Sequence, residues 1–181
     1  MPEITITPAE FPRDREAVAA LFAAYAESLR IDLSFQSFAD ELSQLPGKYA
    51  AEKGGTLFLA HAADASLPKV VGCVAVRAFS PPDTCELKRL YIVPEARGMG
   101  AAQRLMDAAI EKARELGYDH MLLDTLASMM AARKLYARYG FAEVDKYYDN
   151  PIAGTVFMRA ALKHGDVHGD ARSESATLRS A

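Results

Sequence analysis

The segment from residue 85 to residue 110 constrains the fold most strongly, because it reads as a strand, a tight turn and a helix. Residues 87–93 are rich in strand-forming side chains, and they end before Pro94, which has no backbone donor for a sheet. Small residues dominate positions 98–102. Apolar residues then recur at helical spacing, at Leu105, Met106, Ala109 and Ile110. The segment therefore predicts a small-residue turn that leads directly into the N-terminus of a helix.

The turn has the composition of an anion site. The first N–H groups of a helix have no intrahelical acceptor, and the positive end of the helix dipole lies beside them. Gly98 and Gly100 would let an anion approach the backbone closely. Such a turn suits a phosphate or a pyrophosphate. Taken alone, it is equally compatible with a plain strand–helix connection in which the glycines only turn the chain.

Two motifs, in this order, resemble those of the GNAT superfamily of acyl-CoA-dependent N-acyltransferases. Arg97-x-x-Gly100-x-Ala102 matches the pattern [Gln/Arg]-x-x-Gly-x-[Gly/Ala], and residues 132–141 resemble the pattern Ala-x-x-Leu-Tyr-x-x-x-Gly-Phe. The resemblance is close over about residues 85 to 145 and looser from residue 1 to about 162. It implies a single α/β (α+β) GNAT-like domain. Its activity would be the transfer of an acetyl group from acetyl-CoA to a primary amine, by direct attack in a ternary complex.

The spacing of the predicted elements agrees with a mixed, mostly antiparallel central sheet flanked by helices. Strands at 57–60, 70–79 and 87–93 are joined by connections too short for crossovers, which predicts antiparallel pairing. A helix at 101–116 separates the strand at 87–93 from one at 120–126, so these two strands should be parallel neighbours. The remaining predictions are a strand at 4–7, helices from Asp14 to Leu29, 35–45 and 129–139, and strands at 141–147 and 155–161.

Composition limits the partners. The chain has 181 residues, a net charge of −3 and no basic stripe, which argues against nucleic acid as a partner. Its histidines show no metal-ligand spacing, and no apolar run is long enough for a membrane span, so we expect neither a metal nor a membrane. Cys73 and Cys85 are expected to be free thiols in a reducing cytoplasm. We expect one domain over residues 1–162 and a disordered tail over 163–181, because the tail has few apolar side chains.

The resemblance also implies a set of residues that bind acetyl-CoA as a co-substrate. Backbone N–H groups of the turn would hold the pyrophosphate, and strand backbone would pair with the pantetheine arm. The asparagine that many relatives carry before the second motif is replaced by Met129, with Ser128 as a candidate substitute. The full set is Leu90, Tyr91, Ile92, Arg97, Gly98, Met99, Gly100, Ala101, Ala102, Ser128 and Tyr136. Leu90 and Ile92 can also be core residues, because this contact uses only backbone.

The resemblance implies two catalytic side chains. Tyr136 aligns with a tyrosine that would protonate the departing thiolate, although a core tyrosine on an amphipathic helix is the alternative. Glu86 is the first candidate for the base that accepts the amine proton, and desolvation in the strand would raise its pKa. Its alternative is a strand-end carboxylate in solvent or paired with Lys88. Asp124 and Asp83 are weaker candidates for the base.

The sequence says least about the amine that would accept the acetyl group. Tyr148 and Asp149 could meet an ammonium group, and Phe35 could wall the pocket, but the same residues also suit a hairpin and an ordinary loop. The expected partner is a small-molecule or peptide amine, and a homodimer through edge strands is compatible with the sheet. The alternative function is a non-catalytic acyl-CoA-binding or protein-interaction module with the same fold.

Overall fold

The computed structural model describes residues 2–162, apart from the side chain of Phe35. They form one seven-stranded sheet in the order β1-β2-β3-β4-β5-β7-β6. The strands are β1 Ile4–Pro8, β2 Thr56–Ala62, β3 Val70–Ala78, β4 Thr84–Ile92, β5 His120–Leu126, β6 Ala142–Val144 and β7 Thr155–Ala161. The helices are α1 Arg15–Leu29, α2 Phe38–Ser43, α3 Ala101–Glu115 and α4 Met130–Arg138. The mixed sheet flanked by helices confirms the predicted fold class.

The central strands β4 and β5 run parallel, as their connection through α3 predicts, whereas every other neighbouring pair is antiparallel. Their pairing covers only three residue pairs, and the last of these joins Glu86 to Leu122. Beyond that point β4 continues to Ile92 without a partner on this side. The sheet therefore opens in its centre, between the second half of β4 and the end of β5.

A β-bulge interrupts β4 just beyond the last parallel pair. The register with β3 shifts between the pair Cys73–Tyr91 and the pair Ala75–Lys88, so β4 carries one extra residue there. Arg89 lies in this bulge with φ of +61°, a left-handed conformation that is uncommon for a residue with a side chain. The extra residue changes which side chains face each side of the sheet.

The sheet separates two apolar cores. On one face, α3 and α4 pack through Leu105, Met106 and Tyr136 against β4 side chains such as Leu87. On the other face, α1 packs through Phe22 and its neighbours, together with residues of the α2–β2 connection. Cys73 and Cys85 are buried free thiols in different cores, and burial raises the pKa of each thiol to about 12.

Three boundaries differ from the sequence prediction. The helix predicted over 35–45 is divided into a 3-10 turn, Ser34–Gln36, and the short α2, because Ser37 between them adopts a left-handed φ of +55°. The strand predicted over 141–147 pairs only over Ala142–Val144. The central strand begins at Thr84, earlier than expected. The predicted disordered tail, 163–181, lies outside the described residues, and none of the described helices is long and apolar enough to cross a bilayer.

Candidate active site

A cavity occupies the opening between β4 and β5. Its walls come from the diverging strands, from α1 and the segment after it, from α4 and from the β6–β7 connection. The lining residues are Tyr25, Leu29, Ile31, Leu33, Gln36, Leu87, Lys88, Arg89, Leu90, Leu123, Asp124, Thr125, Leu126, Met129, Tyr136, Asn150, Ile152 and Thr155. The cavity thus combines apolar walls with a small number of polar groups, as ligand sites commonly do.

The turn between β4 and α3 presents a row of unpaired backbone donors. Gly98 and Gly100 have φ near +80°, and a Cβ added at either would meet no atom within 4 Å. The N–H groups of residues 98–103 have no hydrogen-bond acceptor within residues 2–162, and Arg104 N is the first to bond back, to the Gly100 carbonyl at 3.1 Å. These donors lie at the N-terminus of the 15-residue α3, beside two glycines whose Cβ positions are open, and such an arrangement suits an anion.

The free side of β4 connects this turn with the cavity. Val93 donates to the Val71 carbonyl at 2.9 Å, so alternation along the antiparallel pair directs the backbone groups of Tyr91 towards β3. Those of Leu90 and Ile92 then face the opening. The Ile92 carbonyl already accepts a hydrogen bond from Arg97 Nε at 3.2 Å. Of the three expected backbone contacts, only those at Leu90 and Ile92 therefore face the gap.

Tyr136 reaches the cavity from α4. Only 6% of the residue is exposed, and its ring packs edge-on against Phe141 at 5.9 Å. No hydrogen bond to its hydroxyl is made by the described part of the chain. Burial raises the pKa of Tyr136, so the phenol stays protonated at neutral pH and is available as a donor.

Asp124 contributes a carboxylate from β5. Its Oδ2 accepts hydrogen bonds from the Tyr148 hydroxyl and from Asn150 Nδ2, the latter at 3.3 Å. The Tyr148 oxygen also accepts from Asn150 Nδ2 at 2.8 Å and from Gln36 Nε2 at 3.2 Å. This network fixes the orientation of the carboxylate, while Oδ1 has no hydrogen-bond donor among residues 2–162. Asp124 can therefore accept a further donor inside the cavity.

Glu86 lies beside the cavity rather than in its lining. The residue is 2% exposed, and Tyr147 donates to its Oε2 at 2.6 Å. Its Oε1 lies 3.2 Å from Arg77 Nε and 3.7 Å from Lys88 Nζ. Oε2 is thus hydrogen-bonded, whereas Oε1 has only ion-pair contacts, since Arg77 Nε makes no hydrogen bond within residues 2–162.

Two consecutive basic residues of β4, Lys88 and Arg89, enter the site on the same side of the sheet. Arg89 pairs with Glu41 at 2.8 Å and donates to Gln36 Oε1 at 3.0 Å, and Lys88 Nζ lies 3.4 Å from the same oxygen. Burial alone would raise the pKa of Glu41, but the hydrogen bond and charge of Arg89, with the charge of Lys48, outweigh burial and lower it to about 2. Burial lowers the pKa of Lys88.

Comparison with known proteins agrees with this geometry. Residues 17–141 match the model of the acetyltransferase (GNAT) family. An uncharacterized N-acetyltransferase of Schizosaccharomyces pombe is 37% identical over 159 residues, which cover 88% of this chain and 95% of that protein. This chain belongs to the GNAT acetyltransferase family. A second uncharacterized N-acetyltransferase, from Dictyostelium discoideum, is 30% identical over 208 residues, covering 82% of this acetyltransferase and 94% of the relative.

A solved structure shows the same fold. A GNAT-family acetyltransferase from Staphylococcus aureus superposes with a TM-score of 0.71, covering 89% of this chain and all of the other. The identity is 20%, so this likeness concerns the fold alone.

The remaining predicted site residues of this GNAT acetyltransferase occupy different positions. Ser128 is exposed in the β5–α4 connection, and its neighbour Met129 lines the cavity instead. Tyr148 lies behind the cavity, as a support for Asp124. The Asp149 side chain is 96% exposed and pairs with Lys146 at 3.0 Å, away from the lining. The prediction for Phe35 falls on a side chain outside the described residues.

Sequence reasoning did not identify Gln36, Lys88 or Arg89 as parts of the site. A signal was present, because two consecutive charged residues are unusual in the middle of a central strand, where charges are rarely buried without a partner. Within residues 2–162 of this acetyltransferase, no group of three or more His, Cys, Asp or Glu side chains is arranged to hold a metal ion.

Proposed function

We propose that this acetyltransferase transfers an acetyl group from acetyl-CoA to a primary amine by direct attack in a ternary complex. The observation that carries the proposal is the unpaired side of β4, which runs from the cavity at Lys88 to the donor-rich turn after Ile92. A long ligand with an anionic end could follow this edge and present its other end in the cavity. The family membership of the chain supports the same substrate.

The residues present fit acetyl-CoA. The N–H groups of residues 98–103 would hold the pyrophosphate, since they have no acceptor within residues 2–162 and the Cβ positions of Gly98 and Gly100 are open. The backbone of Leu90 and Ile92 would pair with the pantetheine amides, and a contact with Ser128 stays a prediction. Acetyl-CoA supplies the acetyl group as an activated thioester. The protein then has to position the amine, remove its proton and protonate the leaving thiolate.

Tyr136 is the proposed acid. Its hydroxyl has no partner in the described chain, and its raised pKa keeps the proton in place until a thiolate develops beside it. As the amine nitrogen bonds to the carbonyl carbon, the carbon–sulfur bond breaks and the sulfur takes the Tyr136 proton. The tyrosine would recover a proton from solvent after product release.

Asp124 is the proposed base, in preference to Glu86. Its Oδ1 faces no protein donor in the described chain, and the residue lines the cavity, so it can accept the proton that the amine loses. Glu86 is the alternative, because Tyr147 or Lys88 could relay a proton to it. If Asp124 is the base, Asp124→Asn should change the pH dependence of kcat/KM. If Glu86 is the base, Glu86→Gln should change it instead.

The test is calorimetric titration with acetyl-CoA, followed by a thiol-release assay with pools of primary amines. We expect binding to the protein alone and thiol release with at least one pool. Binding without release from any pool would favour the non-catalytic acyl-CoA-binding module. Absence of binding would contradict the assignment of the turn at residues 97–102.

A further inference from the structure

We propose that the acceptor amine also carries a carboxylate, which binds Lys88 in the cavity while the amine faces Asp124. The acceptor would then be an amino acid or a similar small zwitterion. This inference rests on the proposed function, since it names the class of molecule that occupies the acceptor end of the same site.

Lys88 is a buried cation that reaches the cavity and lacks a close partner. Its side chain is 7% exposed and it lines the cavity. An ammonium group has three donors, and hydrogen bonds from nitrogen to oxygen are usually near 2.9 Å. Within residues 2–162 its hydrogen-bond acceptor is Gln36 Oε1 at 3.4 Å, and its nearest carboxylate oxygen is Glu86 Oε1 at 3.7 Å. Both contacts are long, so most of the donor capacity of Lys88 is unused.

Both of those acceptors are already engaged by closer groups. Gln36 Oε1 accepts from Arg89 at 3.0 Å, and Glu86 Oε1 lies 3.2 Å from Arg77. The second oxygen of Glu86 accepts from Tyr147 at 2.6 Å. Of the two cations that line the cavity, Lys88 therefore has longer contacts with the protein than Arg89. A carboxylate entering the cavity would supply the short, charge-assisted contacts that the protein does not provide.

The charges of the surrounding network also favour an anion beside Lys88. Within the described chain, the linked network contains four cations, Lys48, Arg77, Lys88 and Arg89, and three carboxylates, Glu41, Glu86 and Asp124. The cations thus outnumber the carboxylates by one. The side chains of Lys48 and Arg77 are 32% and 27% exposed, so the buried cations are Lys88 and Arg89. Burial lowers the pKa of Lys88 because it disfavours the charged form, and a bound anion would favour that form.

Asp124 is the acidic residue that lines the cavity. Its free Oδ1 can receive an ammonium group, while Lys88 receives a carboxylate. A plain alkylamine would leave Lys88 unpaired, and a polyamine would bring a second cation towards Lys88 and Arg89. Both cases are unfavourable in a buried site. The arrangement therefore selects zwitterions over polyamines and aminoglycosides.

The experiment compares amino acids with their own carboxamides, which are nearly the same size and keep the amine but lose the negative charge. Binding to the protein saturated with CoA is measured by calorimetry, and turnover is measured by thiol release. We expect affinity and kcat/KM on the order of 100-fold higher for the preferred amino acid than for its carboxamide. In Lys88→Met this ratio should fall to within about threefold.

Lys48→Met is the matched control, because it removes a cation of the same network that does not line the cavity. It should keep the ratio of the wild type. Since each ratio is taken within one variant, a general loss of folded protein cancels.

Two results would overturn the proposal: carboxamides or polyamines that match amino acids in the wild type, or a Lys88→Met variant that weakens both members of each pair equally. The outcome also separates the two proposals. Carboxylate-dependent binding without turnover would support this inference and contradict the proposed catalysis, whereas turnover without carboxylate preference would do the reverse.

Discussion

Replacing Gly100 with glutamate should remove most of the affinity for acetyl-CoA. Gly100 lies in the turn whose N–H groups, from residue 98 to residue 103, have no acceptor in the described chain. A Cβ added there would meet no protein atom within 4 Å, so the glutamate side chain would start from open space beside the turn. The substitution should change the Kd for acetyl-CoA and the free energy of unfolding for different physical reasons.

Two contributions are expected. A carboxylate about 5 Å from a pyrophosphate that carries about two charges, at an effective dielectric constant of about 40, is repelled by about 3 kcal/mol. This raises Kd by somewhat more than 100-fold. The left-handed φ of +80° adds a backbone strain of about 1 kcal/mol for any residue with a Cβ, and this lowers the free energy of unfolding instead of the affinity.

Gly117→Glu is the matched control, since Gly117 has φ of +86°, also lies in open space, and follows the other end of α3. Gly117→Glu should lose more stability than Gly100→Glu in chemical denaturation, because its charge lies at the negative end of the helix dipole, but only Gly100→Glu should lose acetyl-CoA affinity in calorimetry. Raising the salt concentration should reduce the difference, because salt screens the repulsion. Equal Kd values for the two variants would refute the anion site at this turn.

Three further predictions concern the site. Tyr136→Phe should lower kcat by about 100-fold and leave the Kd for acetyl-CoA within about twofold, as measured by thiol release and calorimetry. Asp124→Asn should lower kcat/KM at neutral pH and recover at high pH, where free amine is plentiful, while Glu86→Gln should keep the profile of the wild type; the reverse result would make Glu86 the base. Because the pKa of Glu41 is about 2 when folded and near 4.5 when unfolded, its pairing stabilises the fold above pH 4.5 by about 3 kcal/mol and this is lost as pH falls towards 2. Denaturation from pH 7 to pH 2 should therefore show a steeper loss for the wild type than for Glu41→Gln.

The parts of the fold that depend on local pattern could be predicted from the sequence. The spacing of apolar residues predicted α3 and β5 nearly to the residue. The length of the connection between β4 and β5 predicted that these two strands pair in parallel. The glycines of the turn indicated the donor-rich loop, because their φ values near +80° are favourable only without a Cβ. The predicted helix over 35–45 was wrong at Ser37, where the left-handed residue divides it. That break brings Gln36 to Lys88 and Arg89, a long-range contact that local propensity does not contain.

The position of Lys88 and Arg89 in the cavity depends on a β-bulge in β4, which the periodicity of apolar residues does not reveal. Strict alternation in β4 would place Lys88 and Arg89 on opposite faces, with Arg89 directed into the apolar core under α3. The bulge shifts the phase by one residue, so both basic side chains reach Gln36, while Leu90 and Ile92 return to that core. The positive φ of Arg89 costs roughly 1–3 kcal/mol, which the buried contacts with Glu41 and Gln36 can offset. Because the bulge lies just beyond the last parallel pair, at Glu86, one irregularity in β4 places two cations beside the opening and frees the strand edge for a ligand.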